Sequence, residues 1–226
     1  MKKPRVIFVP ADANNEQFYQ QFKNSLRKFH SEEELPLVRI SETGSDPNFW
    51  YRAKPIIAKK LIEEYETVIG ADADQVITGD LSDIWTGDFD VGVVQNDPNY
   101  PIQLWDIAPY ANNGLVVMKN KEFIEHWFRL CHTQHFNNYQ FREQDLLNIL
   151  ISNYHNYKVR WLEDKAIYGE AGKPRWADAR MDGDKIKVDD IELKVIHFGG
   201  GNAPDKGNFK IRFQPKVVER IQWLIK

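Results

Sequence analysis

The order of secondary-structure patterns in the first 71 residues constrains the fold more than any other feature of this sequence. Short apolar runs at 5–9, 35–40 and 67–71 indicate buried strands, and two segments with helical apolar spacing separate them, about 16–30 and from Pro55 onward. Strands that alternate with helices are typical of a parallel sheet flanked by helices. We therefore predict an α/β fold with a mostly parallel central sheet.

The rest of the chain predicts further elements of the same kind. Strands are expected at 90–94, 114–118 and, at a sheet edge, 158–162; helices at about 122–132, 141–152 and 215–226; and a hairpin from 186–188 and 191–198. Residues 163–185 have few apolar positions, so we expect a long surface loop there. The 226 residues contain no linker or repeat, and we predict one domain over 1–226.

Composition excludes several classes of function. The net charge of -3 provides no basic field, so nucleic acid is not an expected partner. No apolar run is long enough to span a bilayer, and the single Cys131 excludes an internal disulfide, which favours a reduced, cytoplasmic setting. The amphipathic helix at 215–226 carries basic residues beside its apolar face, and we expect it to pack on the domain, with docking on a membrane as the alternative.

Two aspartates, Asp72 and Asp74, directly follow the apolar run at 67–71. In an extended backbone, residues two apart project to one side, so both carboxylates can reach one ligand. Open α/β sheets bind ligands at the carboxyl ends of their strands, and paired carboxylates suit a divalent cation. Two other aspartate pairs have the same spacing. The pair at 88–90 precedes a predicted strand, and the pair at 182–184 has a glycine between its aspartates, which favours a turn. Asp72 and Asp74 are therefore either a metal site or a solvated strand end.

His197 ends a second apolar strand and precedes the glycine run 199–201. Two carboxylates and an imidazole form a good ligand set for manganese, which accepts oxygen and nitrogen. Glycines allow the backbone to approach a phosphate, and Lys206 adds a positive charge nearby. The alternative is a flexible loop next to an ordinary histidine.

Polar residues also lie next to two predicted elements in the second half of the chain. Gln144 and Asp145 open a helix, where acidic residues are common as caps. Asn112, Asn113 and Gly114 precede a strand and are also compatible with an ordinary turn.

Four segments, taken together and in this order, resemble retaining glycosyltransferases of the GT-A fold, of the family 8 type that includes glycogenin and lipopolysaccharide galactosyltransferases. They are the Asp-x-Asp segment with its Gly-Asp-Leu-x-x-Ile-Trp continuation at 72–85, Asn-Asn-Gly at 112–114, Glu-Gln-Asp-Leu-Leu-Asn at 143–148, and His-Phe-Gly-Gly at 197–200 followed by Lys206. The resemblance covers about residues 5–206.

The resemblance implies a single Rossmann-like domain with a nucleotide-binding half at about 1–95 and an acceptor and sugar half at about 96–226. It also implies a nucleotide-sugar donor that is UDP-linked. By motif position, it implies that Asp72, Asp74 and His197 bind Mn²⁺ (or Mg²⁺); that Pro10, Ala11, Asp12, Arg52, Ala73, Gly200 and Lys206 contact the donor; and that Asn112, Gln144 and Asp145 surround the transferred sugar. The implied reaction moves a hexosyl group to a carbohydrate or glycoprotein acceptor.

Two other functions are compatible with parts of the sequence. The segment Asp72-Ala-Asp74-Gln-Val76 also fits the DxDxV signature of phosphatases that use an aspartate nucleophile. A module that binds a nucleotide sugar or a glycan without turning it over is the other alternative. The phosphatase interpretation does not account for the segments around Asn112, Gln144 and His197.

Overall fold

The computed structural model describes residues 1–41, 48–96, 107, 109–153, 156–162, 167–170 (backbone), 178–188, 190–198 and 213–226. Within these ranges the strands are β1 (Lys3–Pro10), β2 (Leu37–Ile40), β3 (Tyr65–Ala71), β4 (Gln75–Ile77), β5 (Val91–Gln95), β6 (Ala111–Met118), β7 (Val159–Trp161), β8 (Ile167–Glu170), β9 (Arg180–Asp182), β10 (Lys185–Val188) and β11 (Ile191–His197). The α-helices there are α1 (Glu16–Arg27), α2 (Ala53–Leu61), α3 (Lys121–Cys131), α4 (Glu143–Asn153) and α5 (Pro215–Leu224).

The central sheet has six strands in the order β2-β1-β3-β6-β5-β7. Strand β6 runs antiparallel to both of its neighbours, while the pairs β1–β2, β1–β3 and β5–β7 are parallel. Five strands therefore share one direction, and the predicted mostly parallel sheet is confirmed. The predicted edge strand at 158–162 is also confirmed, as β7.

Helices cover both faces of this sheet because its strands alternate their apolar side chains between two clusters. On β1, Val6 and Phe8 belong to the first cluster and Ile7 and Val9 to the second. Buried residues of α2, α3 and α4 complete the first cluster, including Ala58, Trp127 and Leu150. Buried residues of α1 join the second cluster, including Phe22 and Leu26.

A second sheet follows the order β4-β11-β10-β9, and β8 pairs with β11 in parallel. Its apolar residues form a third cluster with the apolar face of α5, which confirms the helix predicted at 215–226 and its packing on the domain. The prediction of a surface loop over 163–185 was wrong in part, because β8 and β9 lie there. Strand β9 buries little of its surface, so it lacks the apolar pattern on which the prediction depended.

The other two Asp-x-Asp pairs lie where the sequence predicted. Residues 182–184 form the turn of the β9–β10 hairpin, with Gly183 in the left-handed region at φ +58°. Asp90 lies at the amino end of β5, and its carboxylate accepts hydrogen bonds from Asn120 Nδ2 and the Lys158 backbone N–H. Among the helices of the described residues, none has the length and apolarity needed to cross a bilayer.

Candidate functional site

Asp72, Ala73 and Asp74 form the turn by which the chain passes from the central sheet to the second sheet. Strand β3 ends at Ala71 and β4 begins at Gln75. The Asp72 N–H donates to the Gly114 carbonyl of β6 at 2.9 Å, and Gln75 Nε2 donates to the same oxygen at 2.6 Å. The turn is therefore fixed from both sides, and Ala73 between the two aspartates is buried.

Strand register brings His197 to this turn although 123 residues separate it from Asp74. Strand β11 runs antiparallel to β4 with His197 opposite Gln75, and the next N–H, of Phe198, donates to the Asp74 carbonyl at 2.9 Å. His197 Nε2 lies 3.1 Å from Asp74 Oδ1 and 3.6 Å from Asp72 Oδ2.

The three side chains form a group that could hold a metal ion. One ligand atom from each of Asp72, Asp74 and His197 can be chosen so that all lie within 4.8 Å of one another. The imidazole is buried, whereas both carboxylates are half-buried and leave an open side for a ligand. Two hard oxygens and one imidazole nitrogen fit a divalent cation that accepts mixed ligands.

A buried lysine, Lys54 of α2, pairs with this group. Its ammonium forms an ion pair with Asp72 Oδ1 and lies 4.0 Å from Glu143 Oε1, and only 3% of the residue is exposed. Burial opposes the charge on Lys54, but the carboxylates of Asp72 and Glu143 outweigh burial and raise the pKa of the ammonium. Lys54 therefore stays charged beside the candidate metal ligands.

Glu143, the first residue of α4, is the second buried charged group at this site. Its Oε1 accepts a hydrogen bond from Asn113 Nδ2 at 3.0 Å, and its Oε2 has no hydrogen-bond partner among the described residues. Burial raises the pKa of Glu143 to about 8, although the charge of Lys54 opposes the rise.

The loop after β1 forms the opposite wall of the site. The Ala11 N–H donates to the Ile40 carbonyl of β2 at 2.9 Å, and Arg39 donates to the carbonyls of Ala11 and Asp12. The Asp12 carboxylate caps the following turn by accepting from the Asn15 N–H at 3.1 Å. The loop is therefore held in place beside the sheet edge.

A cavity of about 340 Å³ lies between this loop and the candidate metal group, a size within the range of small-molecule sites. Its lining residues are Pro10, Asp12, Asn15, Trp50, Ala53, Lys54, Asp72, Asn113 and Glu143. The structure thus brings Pro10, Asp12 and Asp72 to one cavity.

Three residues of the cavity lining, Lys54, Asn113 and Glu143, were not among the site residues predicted from the sequence. Lys54 had no signal, because a lysine in a helix is normally exposed. Glu143 and Asn113 are direct neighbours of predicted residues, so the Gln144 and Asn112 motifs could have indicated them.

Other predicted site residues lie beside the cavity rather than in its lining. Asp145 is 1% exposed, and its carboxylate accepts from the Tyr110 hydroxyl at 2.6 Å and the Phe141 N–H at 2.7 Å. Gln144 Oε1 accepts from the Asn113 N–H at 3.0 Å, and Asn112 Oδ1 accepts from the Gly114 N–H at 2.7 Å.

These contacts join β6 to the start of α4 and so orient Asn113 and Glu143. Arg52 donates to the Cys131 carbonyl at 3.3 Å, at the end of α3. Gly200 and Lys206 lie outside the described residues.

Comparison with solved structures identifies the fold. The bifunctional glycosyltransferase WbbM matches 100% of this chain with a TM-score of 0.68 at 14% identity, and the glycosyltransferase GlyE of Streptococcus pneumoniae TIGR4 matches 99% with 0.65 at 16% identity. The galactosyltransferase LgtC, in complex with donor and acceptor sugar analogs, matches 97% with 0.63 at 16% identity. This chain therefore has the GT-A fold.

The matched lengths differ among these proteins. The chain spans 50% of the WbbM chain, 61% of the GlyE chain and 95% of the LgtC chain. No protein-family model matches the sequence, and neither does any curated protein.

Proposed function

We propose that this protein is a metal-dependent glycosyltransferase that moves a hexosyl group from a UDP-linked donor to a carbohydrate or glycoprotein acceptor with retention of configuration. The observation that carries the proposal is the group of Asp72, Asp74 and His197 beside a cavity at the carboxyl end of β3. The GT-A fold supports it, because that is the fold of the glycosyltransferases to which the chain is similar.

In this proposal the two carboxylates and the imidazole hold Mn²⁺ (or Mg²⁺). When bound, the cation neutralises charge on the diphosphate as it leaves. Pro10, Ala11 and Asp12 line the base and ribose, and the nearby carbonyls fixed by Arg39 keep that loop in place. Lys54 keeps a positive charge at the edge of the cavity that faces the donor.

The remaining predicted residues surround the reacting sugar in the same proposal. Gln144 and Asn112 place the β6–α4 junction against the sugar, and the buried carboxylate of Asp145 holds Tyr110 and the Phe141 backbone in position. Arg52 and Ala73 lie next to the donor, and Gly200 and Lys206 grip its diphosphate.

Thermal unfolding with and without Mn²⁺ tests the proposal across UDP, UDP-glucose, UDP-galactose and UDP-N-acetylglucosamine. A ligand that binds only the folded state at 100 times its Kd stabilises it by about 2.7 kcal/mol. We expect a nucleotide-dependent rise in Tm that requires Mn²⁺. The rise should disappear in Asp74→Asn and persist in the control Asp182→Asn/Asp184→Asn, whose carboxylates have the same spacing in an exposed turn.

Turnover separates the proposal from its two rivals. Metal-dependent release of UDP from a donor, without phosphate release from a phosphomonoester, is the expected result. Phosphate release that depends on Asp72 would support the phosphatase instead. Tight UDP binding with no turnover of any donor would support a binding module. If Asp74→Asn retained the Mn²⁺-dependent shift, the assigned metal site would be wrong.

A further inference from the structure

A second cavity, of about 430 Å³, opens directly beside the first. It is lined by Trp50, Tyr51, Asn113, Gln140, Phe141, Arg142 and Glu143, and it shares Trp50, Asn113 and Glu143 with the first cavity. A molecule in this second cavity would therefore lie next to a ligand in the first cavity. Neither the metal group nor the nucleotide loop uses it.

Arg142 holds a strained backbone at the floor of this second cavity. Its φ of +47° is in the left-handed region, which residues other than glycine adopt uncommonly. Neighbouring contacts impose that conformation, because the Phe141 N–H donates to Asp145 Oδ2 at 2.7 Å and the Leu146 N–H donates to the Arg142 carbonyl at 3.1 Å. The backbone conformation of Arg142 sets the direction in which its side chain leaves the chain.

The Arg142 side chain is also held in place, yet its charge is unmatched. The guanidinium carbon lies 3.6 Å from the centroid of the Tyr51 ring, and 53% of Tyr51 is exposed. Nη1 is enclosed and has no hydrogen-bond partner within the described ranges, and no carboxylate in those ranges lies within ion-pair distance. Glu143, the neighbouring acid, faces Lys54 and Asn113 instead.

A guanidinium fixed against an aromatic ring is suited to one kind of ligand. Its planar array of N–H donors matches the two oxygens of a carboxylate or a phosphate, and such an anion would balance the charge of the guanidinium. Because the guanidinium is already held by the ring, little side-chain freedom is lost on binding. Trp50 and Tyr51 also line this cavity, and aromatic side chains suit the apolar surface of a sugar ring.

We propose that the second cavity is the acceptor subsite and that Arg142 selects acceptors carrying a carboxylate or a phosphate on the sugar that enters it. The proposal rests on the glycosyltransferase function proposed above, since that function makes the first cavity the donor site. Arg142 is then a specificity-determining residue, and Tyr51 positions its guanidinium.

Saturation-transfer NMR on the full chain tests the subsite with three probes at equal millimolar concentration, each with and without UDP and Mn²⁺. Methyl glucuronide presents a carboxylate, glucose 6-phosphate a phosphate, and methyl glucoside no charge. We expect a stronger signal from at least one anionic probe than from the glucoside. The anionic probe with the stronger signal shows whether the subsite prefers a carboxylate or a phosphate. Loss of one charge-assisted contact should weaken anion binding by roughly ten-fold or more in Arg142→Gln.

Two further variants separate a loss of anion binding from a loss of folding. Arg142→Gly suits the positive φ, so it should fold at least as stably as the wild type and still lose the preference for anions. Arg220→Gln is the matched control, because Arg220 also packs over an aromatic ring, Trp223 at 4.5 Å, and has an unpartnered Nε, but belongs to α5. It should leave all probe signals unchanged.

Several results would overturn the inference. Equal signals from anionic and neutral probes, no signal from either anion, or unchanged anion binding in Arg142→Gly would each refute it. A loss of UDP binding in the Arg142 variants would assign the guanidinium to the donor instead. If wild-type protein fails to bind UDP, the proposed function fails and the acceptor assignment with it, whereas the probes without UDP still report whether Arg142 binds an anion.

Discussion

Replacement of Glu143 by glutamine should change how the stability of the protein depends on pH. Burial raises the pKa of this carboxyl to about 8 from an ordinary value of 4.5. A carboxyl with a raised pKa contributes stability that is fully present below its unfolded pKa and is lost as the pH rises through its folded pKa. The wild type should therefore lose stability between pH 4.5 and pH 8 through this group, and Glu143→Gln, which cannot ionise, should not.

The size of the effect follows from the two pKa values. The difference between 4.5 and about 8 corresponds to about 5 kcal/mol when the group is fully ionised in both states, and we treat this as an upper bound. At pH 5 the amide and the protonated acid are nearly isosteric, so the free energies of unfolding should be similar. By pH 9 the variant should be the more stable protein by up to about 5 kcal/mol.

Urea unfolding followed by tryptophan fluorescence, with EDTA present and at pH values from 5 to 9, measures this difference. The control is Glu66→Gln, which removes an exposed carboxylate from β3 and leaves the buried Glu143 in place. A constant difference between Glu143→Gln and the wild type over the whole range would mean that Glu143 remains ionised beside Lys54, and the reasoning from burial would be refuted.

Three further predictions concern the packing that supports the site, and each is measured by the same urea assay. Tyr110→Phe removes the hydroxyl that donates to the buried Asp145 carboxylate at 2.6 Å and should lower the free energy of unfolding by about 1.5–3 kcal/mol. Asn148→Ala removes a fully buried amide whose Oδ1 accepts from the Ala111 N–H at 2.6 Å and whose Nδ2 donates to the Ala111 carbonyl at 2.8 Å, at the start of β6. It should lower the free energy of unfolding by about 2–4 kcal/mol. Gly70→Ala would place a Cβ 2.9 Å from the Phe8 ring and should cost about 1–3 kcal/mol through overpacking. Wild-type stability in any of these variants would contradict the packing argument for that position.

Elements with a strong apolar period could be predicted from the sequence, and short paired strands could not. Helices α1, α3 and α5 and strands β1 and β3 lie within a few residues of their predicted ranges. Strands β4 and β9 have three residues each, too few to establish a period, and they exist because a neighbouring strand pairs with them.

The polar start of β6 shows a second limit. Asn112 and Asn113 were expected to precede the strand and Gly114 to begin it, but all three lie inside the strand, next to a register shift between Val93 and Val94 of β5. The backbone N–H and the side-chain amide of Asn113 donate hydrogen bonds to Gln144 and Glu143 at the start of α4. Polar residues that suggest a turn in the sequence can therefore lie inside a strand when a neighbouring helix provides their hydrogen-bond partners.

The candidate metal ligands could be predicted from the sequence, but the buried charged residues of the site could not. Asp72, Asp74 and His197 could be selected because each ends or follows an apolar strand, a property of the local sequence. Lys54 could not, because its burial depends on where α2 meets the end of β3, which no local pattern encodes. Tertiary packing decides such positions, and the charge on Lys54 is tolerated because the Asp72 carboxylate forms an ion pair with it.

The position of His197 is set by the burial of the two residues before it. Val195 belongs to the second apolar cluster, together with Ala71 and Ala73 beside the metal group, whereas Ile196 belongs to the third cluster under α5. Side chains alternate along a strand, so His197 must share the Val195 face and point toward Asp72 and Asp74. A shift of one residue in the register of β11 would turn Val195 and Ile196 toward the opposite clusters and move the imidazole away from the carboxylates. The free energy that fixes the register of β11 therefore comes from hydrophobic packing on both faces, and the same packing holds the imidazole among its two carboxylate neighbours before any ligand binds.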